Sequence, residues 1–513
     1  MTFRELDQTM EWRLQAPIRN DCFTALPFRM NYQMLSALTI LSTLLLFSAE
    51  GSGSEPSADA AAKPISLHPD NPHYFLFRGK PTVLITSAEH YGAVINLEFD
   101  FLTYLNKLRD DGLNLTRVFT GAYREPVYDN DQNTLGPRRG QFLAPWVRSA
   151  TPGAAVGGNK FDLDRWDSQF FDRLKAFCRA ASERGIVVEV VFFSQMYDKQ
   201  MWALSPLHQD NNVNGDPPIP SFDRFITLGN ATLVKRQEAL IRKVVDELKA
   251  FDNVYYELCN EPNQPDHREP EAVRTWQNHL AETTVKALAA VSARQLIAAQ
   301  DPTRCNHPAV SIHNFHYAYG DDWVGAMQGL ERYYDLNEPL AFDETETDRP
   351  TGVVRREAWA FMLSGGAAYN HLDSSFMIDD ETGSGKTQWF GKRHDYRELR
   401  RQLGYLKQFI ESVDFVQLGR RPDLFRSIPE GVKAYGIADT GRTYLVYLEG
   451  TGSGKLGMNV PNGSYLAEWI SPQAGQAVQE GTAIARDGIL SLEIPAFSGD
   501  LALWARRVAN EER

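Results

Sequence analysis

Two stretches of the chain set ionisable carboxyl groups at the ends of apolar runs. The first is Asp252-Asn253-Val254-Tyr255-Tyr256-Glu257-Leu258-Cys259-Asn260-Glu261-Pro262. Apolar and aromatic residues fill its middle, as in a strand covered on both faces. Pro262 cannot donate to a ladder and ends the run. The second stretch is Glu338-Pro339-Leu340-Ala341-Phe342-Asp343-Glu344-Thr345-Glu346, built to the same plan. A carboxyl group at the end of a buried strand is costly unless it has a task or a partner. Two brought to one place can divide a bond cleavage between them, one handling the proton and the other attacking.

The elements that must position these groups alternate along the chain. Strand-like runs at Pro81–Ser87, Leu113–Thr120, Ile186–Phe193, Val254–Asn260, Gln295–Ala299, Val310–His316, Pro339–Asp343 and Ala367–His371 are interleaved with helix-like runs. The helical runs are Phe99–Asp111, Trp166–Glu183, Leu233–Ala250, Glu271–Ala290, Trp323–Tyr334, Arg355–Leu363 and Tyr396–Val413. A polar loop covers 123–160. Alternation of this kind predicts a parallel sheet, and eight strands over about 350 residues fit a (β/α)₈ TIM barrel, whose site is built at the strand C-termini. From 432 onward only short strands and turns follow, which predicts a small C-terminal all-β sandwich. The expected domains are a leader at 1–51, a linker at 52–63, the barrel at 64–413 and the sandwich at 414–508.

The chain has 513 residues, a net charge of -13 and 43% hydrophobic residues, a globular composition that argues against a nucleic-acid partner. Four cysteines without a C-x-x-C pair give no zinc or redox signature, and Cys178 and Cys259 read as buried thiols. The apolar run Met34–Ala49, followed by a Gly/Ser/Ala-rich tract, fits a secretory signal with cleavage near Ala49–Gly51. Met30 or Met34 is then a candidate start. This predicts a secreted or periplasmic protein with no stable membrane partner, or a membrane-anchored one if the segment stays uncleaved. Nothing in the sequence speaks to oligomeric state.

The Asn260-Glu261-Pro262 run and its preceding strand resemble the strand-four signature of clan A glycoside hydrolases, the cellulase-like family 5 among them. The resemblance implies Glu261 as acid/base and, at the end of the seventh strand, Glu344 as nucleophile, with Glu346 second and Asp343 third. It implies a retaining cleavage of O-glycosidic bonds through a covalent glycosyl-enzyme, with the two carboxyl groups about 5–5.5 Å apart. Arg117 matches the clan's arginine beside the nucleophile, with Glu257 as its alternative partner. Asn260 matches the asparagine that bonds the sugar 2-hydroxyl. His316, Tyr317, Tyr319 and His371 are further substrate-facing candidates. Ala318 stands where family 5 shows a tyrosine, so Tyr317 or Tyr319 is expected to take over its bond to the nucleophile. The family's histidine after strand three is replaced by Phe192-Phe193-Ser194-Gln195-Met196-Tyr197, and its strand-eight tryptophan by Ala368-Tyr369-Asn370-His371-Leu372-Asp373. Tyr465–Pro472 also resembles the Tyr-x-x-x-Trp strand of apiosidase-like proteins with a collagen-binding-like C-terminal domain.

Other motifs point less far. Gly383-Ser384-Gly385-Lys386-Thr387 ends like a phosphate-binding loop, but Asp380 takes the first glycine position. His313 and His316 lack a third ligand at helical spacing, so no metal and no cofactor is expected. Trp146, Trp202, Trp323 and Trp389 are candidate sugar-stacking platforms. The reading is an exported glycoside hydrolase acting on a poly- or oligosaccharide. Its alternative is a non-catalytic carbohydrate-binding or adhesion protein on the same barrel.

Overall fold

The computed structural model describes residues 63–127, 132–262, 270–320, 324–386 and 392–508. The leader, most of the linker, Cys22, Trp323, Trp389 and Thr387 lie outside these residues.

Eight strands form one parallel sheet: β1 (Leu84–Ala88), β2 (Leu115–Phe119), β3 (Val187–Ser194), β4 (Val254–Asn260), β5 (Ile297–Gln300), β6 (Ile312–His316), β7 (Leu340–Glu344) and β8 (Ala368–Leu372). Their order is β1-β8-β7-β6-β5-β4-β3-β2. Every residue in them is buried, because helices cover the outer face and side chains fill the inside. The ring closes between β1 and β2 without a regular ladder. Asn114 supplies the rungs: its Oδ1 accepts from Ile85 N at 2.9 Å, and its Nδ2 donates to Val83 O at 2.9 Å.

The covering helices start where the sequence places caps. Asp100, Asp167 and Asn230 cap Phe101–Asp110, Ser168–Glu183 and Ala231–Leu248 with their side chains. Gly185, at φ +70°, turns the chain from the second of these into β3. The polar loop holds an unexpected antiparallel hairpin, Trp146–Pro152 with Asn159–Trp166, whose register slips twice and so hides its alternation.

After the helix Arg397–Glu411 comes an antiparallel sheet of seven strands. Two of its strands are much longer than the sequence suggests, Thr443–Asn459 and Ile489–Arg507. Both pass through a bend at Gly452–Gly454, where their pairing shifts. Tyr444, Val446 and Leu448 before the bend share a core with Leu456 and Met458 after it, so the sheet folds over itself. The alternate residues Leu445 and Tyr447 pack into the barrel's core. Cys178, Cys259 and Cys305 are buried free thiols.

Candidate active site

Glu261 follows β4 directly and takes a left-handed backbone, φ +45°. A non-glycine residue there is strained, a feature that concentrates at functional positions. Tyr91 and Tyr317, just past β1 and β6, adopt the same conformation at φ +63° and +59°. These three residues aim side chains into the barrel mouth.

Glu344 ends β7. The ladder between β6 and β7 slips by one residue after Phe315, so His316 stands opposite Glu344 and Asp343 is skipped. Adjacent strand residues normally face opposite ways; the irregularity lets both Asp343 and Glu344 reach the inside. A carboxylate oxygen of Glu261, one of Glu344 and a ring nitrogen of His316 lie within 4.8 Å of one another. His316 Nδ1 is 3.0 Å from Glu261 Oε1 and 3.8 Å from Glu344 Oε1.

Each carboxylate has its own partners. Tyr197 Oη donates to Glu261 Oε2 at 2.5 Å and Tyr317 Oη to Oε1 at 3.1 Å. Arg117 Nη1 donates to Glu344 Oε2 at 3.2 Å. Both expected partners of Arg117 are therefore realised, since its Nε and Nη2 also bind Glu257. Deeper in the barrel Arg117 faces Asp343 at 3.2 Å and Glu189 at 3.7 Å, and Asn314 bridges those two. Tyr91 stacks its ring over the guanidinium, 4.7 Å away. Oxygens of Glu189, Glu257 and Asp343 also converge within 4.8 Å. The Arg117 charge sits among them, and burial raises Glu189 and Glu257 despite it.

The site's protonation follows from these contacts. Burial works against charge on His316, but Glu344, Asp343 and Glu261 outweigh it and lift it to about 10. Burial would raise Glu261 as well, but the His316 charge and the hydrogen bonds from His316, Tyr197 and Tyr317 bring it down to about 2. Burial raises Glu344, with repulsion from Glu261 adding to it against the pull of His316, Arg117 and His90. A proton shared by the pair therefore leans toward Glu344.

Of the remaining expected residues, Asn260 holds Tyr197 Oη and Ser194 Oγ with its Nδ2, at 3.0 and 3.2 Å, while its buried Oδ1 has no hydrogen-bond partner among the described residues. Tyr317 bonds Glu261 rather than the expected Glu344, because its left-handed backbone turns it toward β4. Tyr319 is 65% exposed and feels the charges of Glu331, Glu449 and Glu357, away from the pair. His371 is fully buried beside Ser87 Oγ at 2.8 Å and the Tyr396 ring, and burial lowers it to about 4. Glu346 turns out to Arg349 at 2.6 Å. Trp146 and Trp202 are buried against Trp166 and Phe225 and offer no platform. Asp380 accepts from Ser384 N and Lys386 N, so the loop after it is folded around a carboxylate.

Residues not singled out in the sequence complete the mouth. Tyr197 stands where the family histidine was sought. His90, two residues beyond β1, bonds Glu125 at 3.0 Å and rises to about 9 under Glu125 and Glu344 against its burial. Their position just past strand ends was the available signal.

Residues 99–346 match the family model for cellulase, glycosyl hydrolase family 5, a span that includes both carboxylates. No curated protein matches the chain. Among solved structures, one described as a glycoside hydrolase is 13% identical, with a TM-score of 0.58 over 88% of this chain and 98% of its own. A glycoside hydrolase family 5 protein from Bacteroides vulgatus is 14% identical, with a TM-score of 0.57 over 87% of this chain and 94% of its own. At these identities the solved structures speak for the fold. Across the strands that carry the site the chain is similar to the cellulase family, glycosyl hydrolase family 5, and the protein is an O-glycosyl hydrolase.

Proposed function

We propose that the protein is an exported, retaining glycoside hydrolase of poly- or oligosaccharides, with Glu261 as acid/base and Glu344 as nucleophile. The observation that carries this reading is the approach of the two carboxylates to within 4.8 Å, on the strand ends β4 and β7. That spacing suits a covalent route, whereas inversion needs room for a water between the groups. Glu344 attacks the anomeric carbon while Glu261 gives its proton to the leaving oxygen, forming a glycosyl ester. Glu261 then takes a proton from water, the resulting hydroxide attacks the same carbon, and Glu344 leaves. The unpartnered Asn260 Oδ1 is an acceptor for a sugar hydroxyl.

The first step needs the proton on Glu261, opposite to its resting place. His316 Nδ1, 3.0 Å from Glu261 and 3.8 Å from Glu344, can first hand its proton to Glu261, and the neutral ring can then take that of Glu344 once the two close to hydrogen-bond distance. The proton count stays the same. The resting protonation also favours a second reading in which the two glutamates exchange roles. Hydrolysis of a panel of aryl glycosides and polysaccharides by wild type, Glu261→Ala and Glu344→Ala separates them. Under the first reading, Glu344→Ala loses every substrate by about 10⁴-fold or more. Glu261→Ala retains activated aryl glycosides, which need little protonation. The reverse pattern supports exchanged roles, and two active variants would sink the carboxylate pair altogether.

Export rests on the apolar run Met34–Ala49. N-terminal sequencing of secreted protein should find a start after Ala49; a secreted chain still beginning upstream of Met34 would count against it.

A further inference from the structure

A groove of about 450 Å³ has Arg124 and Arg139 in its wall and no described carboxylate lining it. Pro126, Pro137, Gln200 and Leu204 make up much of the rest. Arg124 is only 3% exposed. Its Nε donates to Glu125 O and its Nη2 to Pro137 O, both at 3.0 Å, and Nη1 has no acceptor among the described residues. Arg139 is exposed, lies along Gly157 and has no hydrogen-bond or ion-pair partner among the described residues. A second groove of about 510 Å³ shares Arg139 and Gly157 and adds Arg148, whose Nη1 meets only the carbonyls of Gly157 and Asn159. Asp167 is the one described carboxylate in that second wall, and it caps Gln169.

Burying a guanidinium against carbonyls alone is expensive, and other buried arginines here are paired: Arg117 with Glu257, Arg400 with Asp373, Arg355 with Asp500. Burial and the Arg148 charge together lower Arg124 to about 10, against the pull of Glu125. The chain as a whole carries -13, so this basic spot runs against its background. Its place is also telling. Tyr123, next to Arg124, sets its ring 5.9 Å from that of Tyr197, which bonds Glu261. Gln200 and Leu204 belong to the short helix Lys199–Leu204 that follows Tyr197.

We propose that this groove is a subsite for an oxyanion, a carboxylate or a sulfate, carried on the saccharide that crosses the active site. The inference rests on the carbohydrate-cleaving role proposed above and adds the class of substrate. The planar guanidinium fork binds such groups through paired, charge-assisted hydrogen bonds, which a neutral sugar cannot match.

Affinity electrophoresis of the intact protein tests this without requiring turnover. Gels contain polygalacturonate, alginate, glucuronoxylan or dextran sulfate, each beside its carboxyl-reduced or unsulfated parent. At least one acidic polymer should retard wild type about tenfold more strongly than its neutral parent, the strength expected of a charge-assisted pair. Arg139→Gln, at an exposed position, and Arg124→Gln should both lose that preference. Arg138→Gln removes the same charge one residue away, where it pairs with Glu98 at 3.1 Å, and should keep it. Whether polyuronates or dextran sulfate are retained tells the source of the oxyanion. Equal retention of acidic and neutral polymers, or equal loss in Arg138→Gln, overturns the proposal. Retention without cleavage of any polymer leaves the subsite standing and defeats the hydrolytic reading; cleavage of neutral polymers without acidic preference does the opposite.

Discussion

His316 joins the two carboxylates, and its charge should be visible in stability against pH. Its folded pKa, about 10, lies above the ordinary 6.5, so its contribution is complete below 6.5 and disappears as pH rises through 10. Glu261, at about 2 against an ordinary 4.5, contributes above 4.5 and loses that contribution as pH falls through 2. Stability should therefore be highest between these limits and fall on both sides. Melting temperatures of wild type and His316→Gln from pH 5 to 10 test the alkaline limb. The variant should lose less stability than wild type across pH 6.5–10, with His90 accounting for part of the fall that remains. Identical slopes would mean that His316 is uncharged in the folded protein.

Among the strands, one side chain carries two of the hydrogen bonds that close the barrel. Asn114→Leu leaves Ile85 N and Val83 O without their partners at the β1–β2 seam. This should cost about 1–3 kcal/mol in denaturant unfolding, two part-buried hydrogen bonds at about 0.5–1.5 each. A change under 0.5 kcal/mol would show that the seam repairs itself. The strands themselves were readable because a fully buried parallel strand is a continuous apolar run between turn signals, as Ile186–Phe193 and Pro339–Asp343 illustrate. The site was readable where chemistry sits at such a strand's end, as with Glu261, Glu344 and Asn260, whereas Arg117 lies in the middle of β2. Tyr317 and Tyr319 were not separable, because a left-handed residue and a register slip decide which of them faces Glu261. The hairpin at 146–166 stayed hidden for a similar reason: its slipped pairing destroys the period of two. Trp146 and Trp202 look exposed in a loop and are buried by contacts distant in sequence.

In the molecule as a whole, the barrel and the terminal sheet share one buried joint. Arg355, on the helix Thr351–Met362, pairs with Asp500 through Nε at 2.7 Å and Nη2 at 3.1 Å. Tyr447 Oη also donates to Asp500, and its ring stacks on Trp359 at 5.7 Å. Asp500→Ala strands a buried guanidinium and should cost about 3–5 kcal/mol. Replacing both partners by apolar residues should cost less than the single change, which a double-mutant comparison by chemical unfolding checks. An equal cost would mean that packing, rather than the charge left behind, sets the penalty.

All of this serves a pair of carboxylates whose division of labour has one direct readout. Glu261→Ala should be supplied with azide and the aryl glycoside that wild type cleaves best, and the product's anomeric configuration read by NMR. With Glu344 as nucleophile, azide attacks the glycosyl-enzyme on the face the water would have used, giving a glycosyl azide of retained configuration and a restored rate. If instead Glu344→Ala gives the glycosyl azide of retained configuration and Glu261→Ala the inverted one, the roles are exchanged and the account is contradicted.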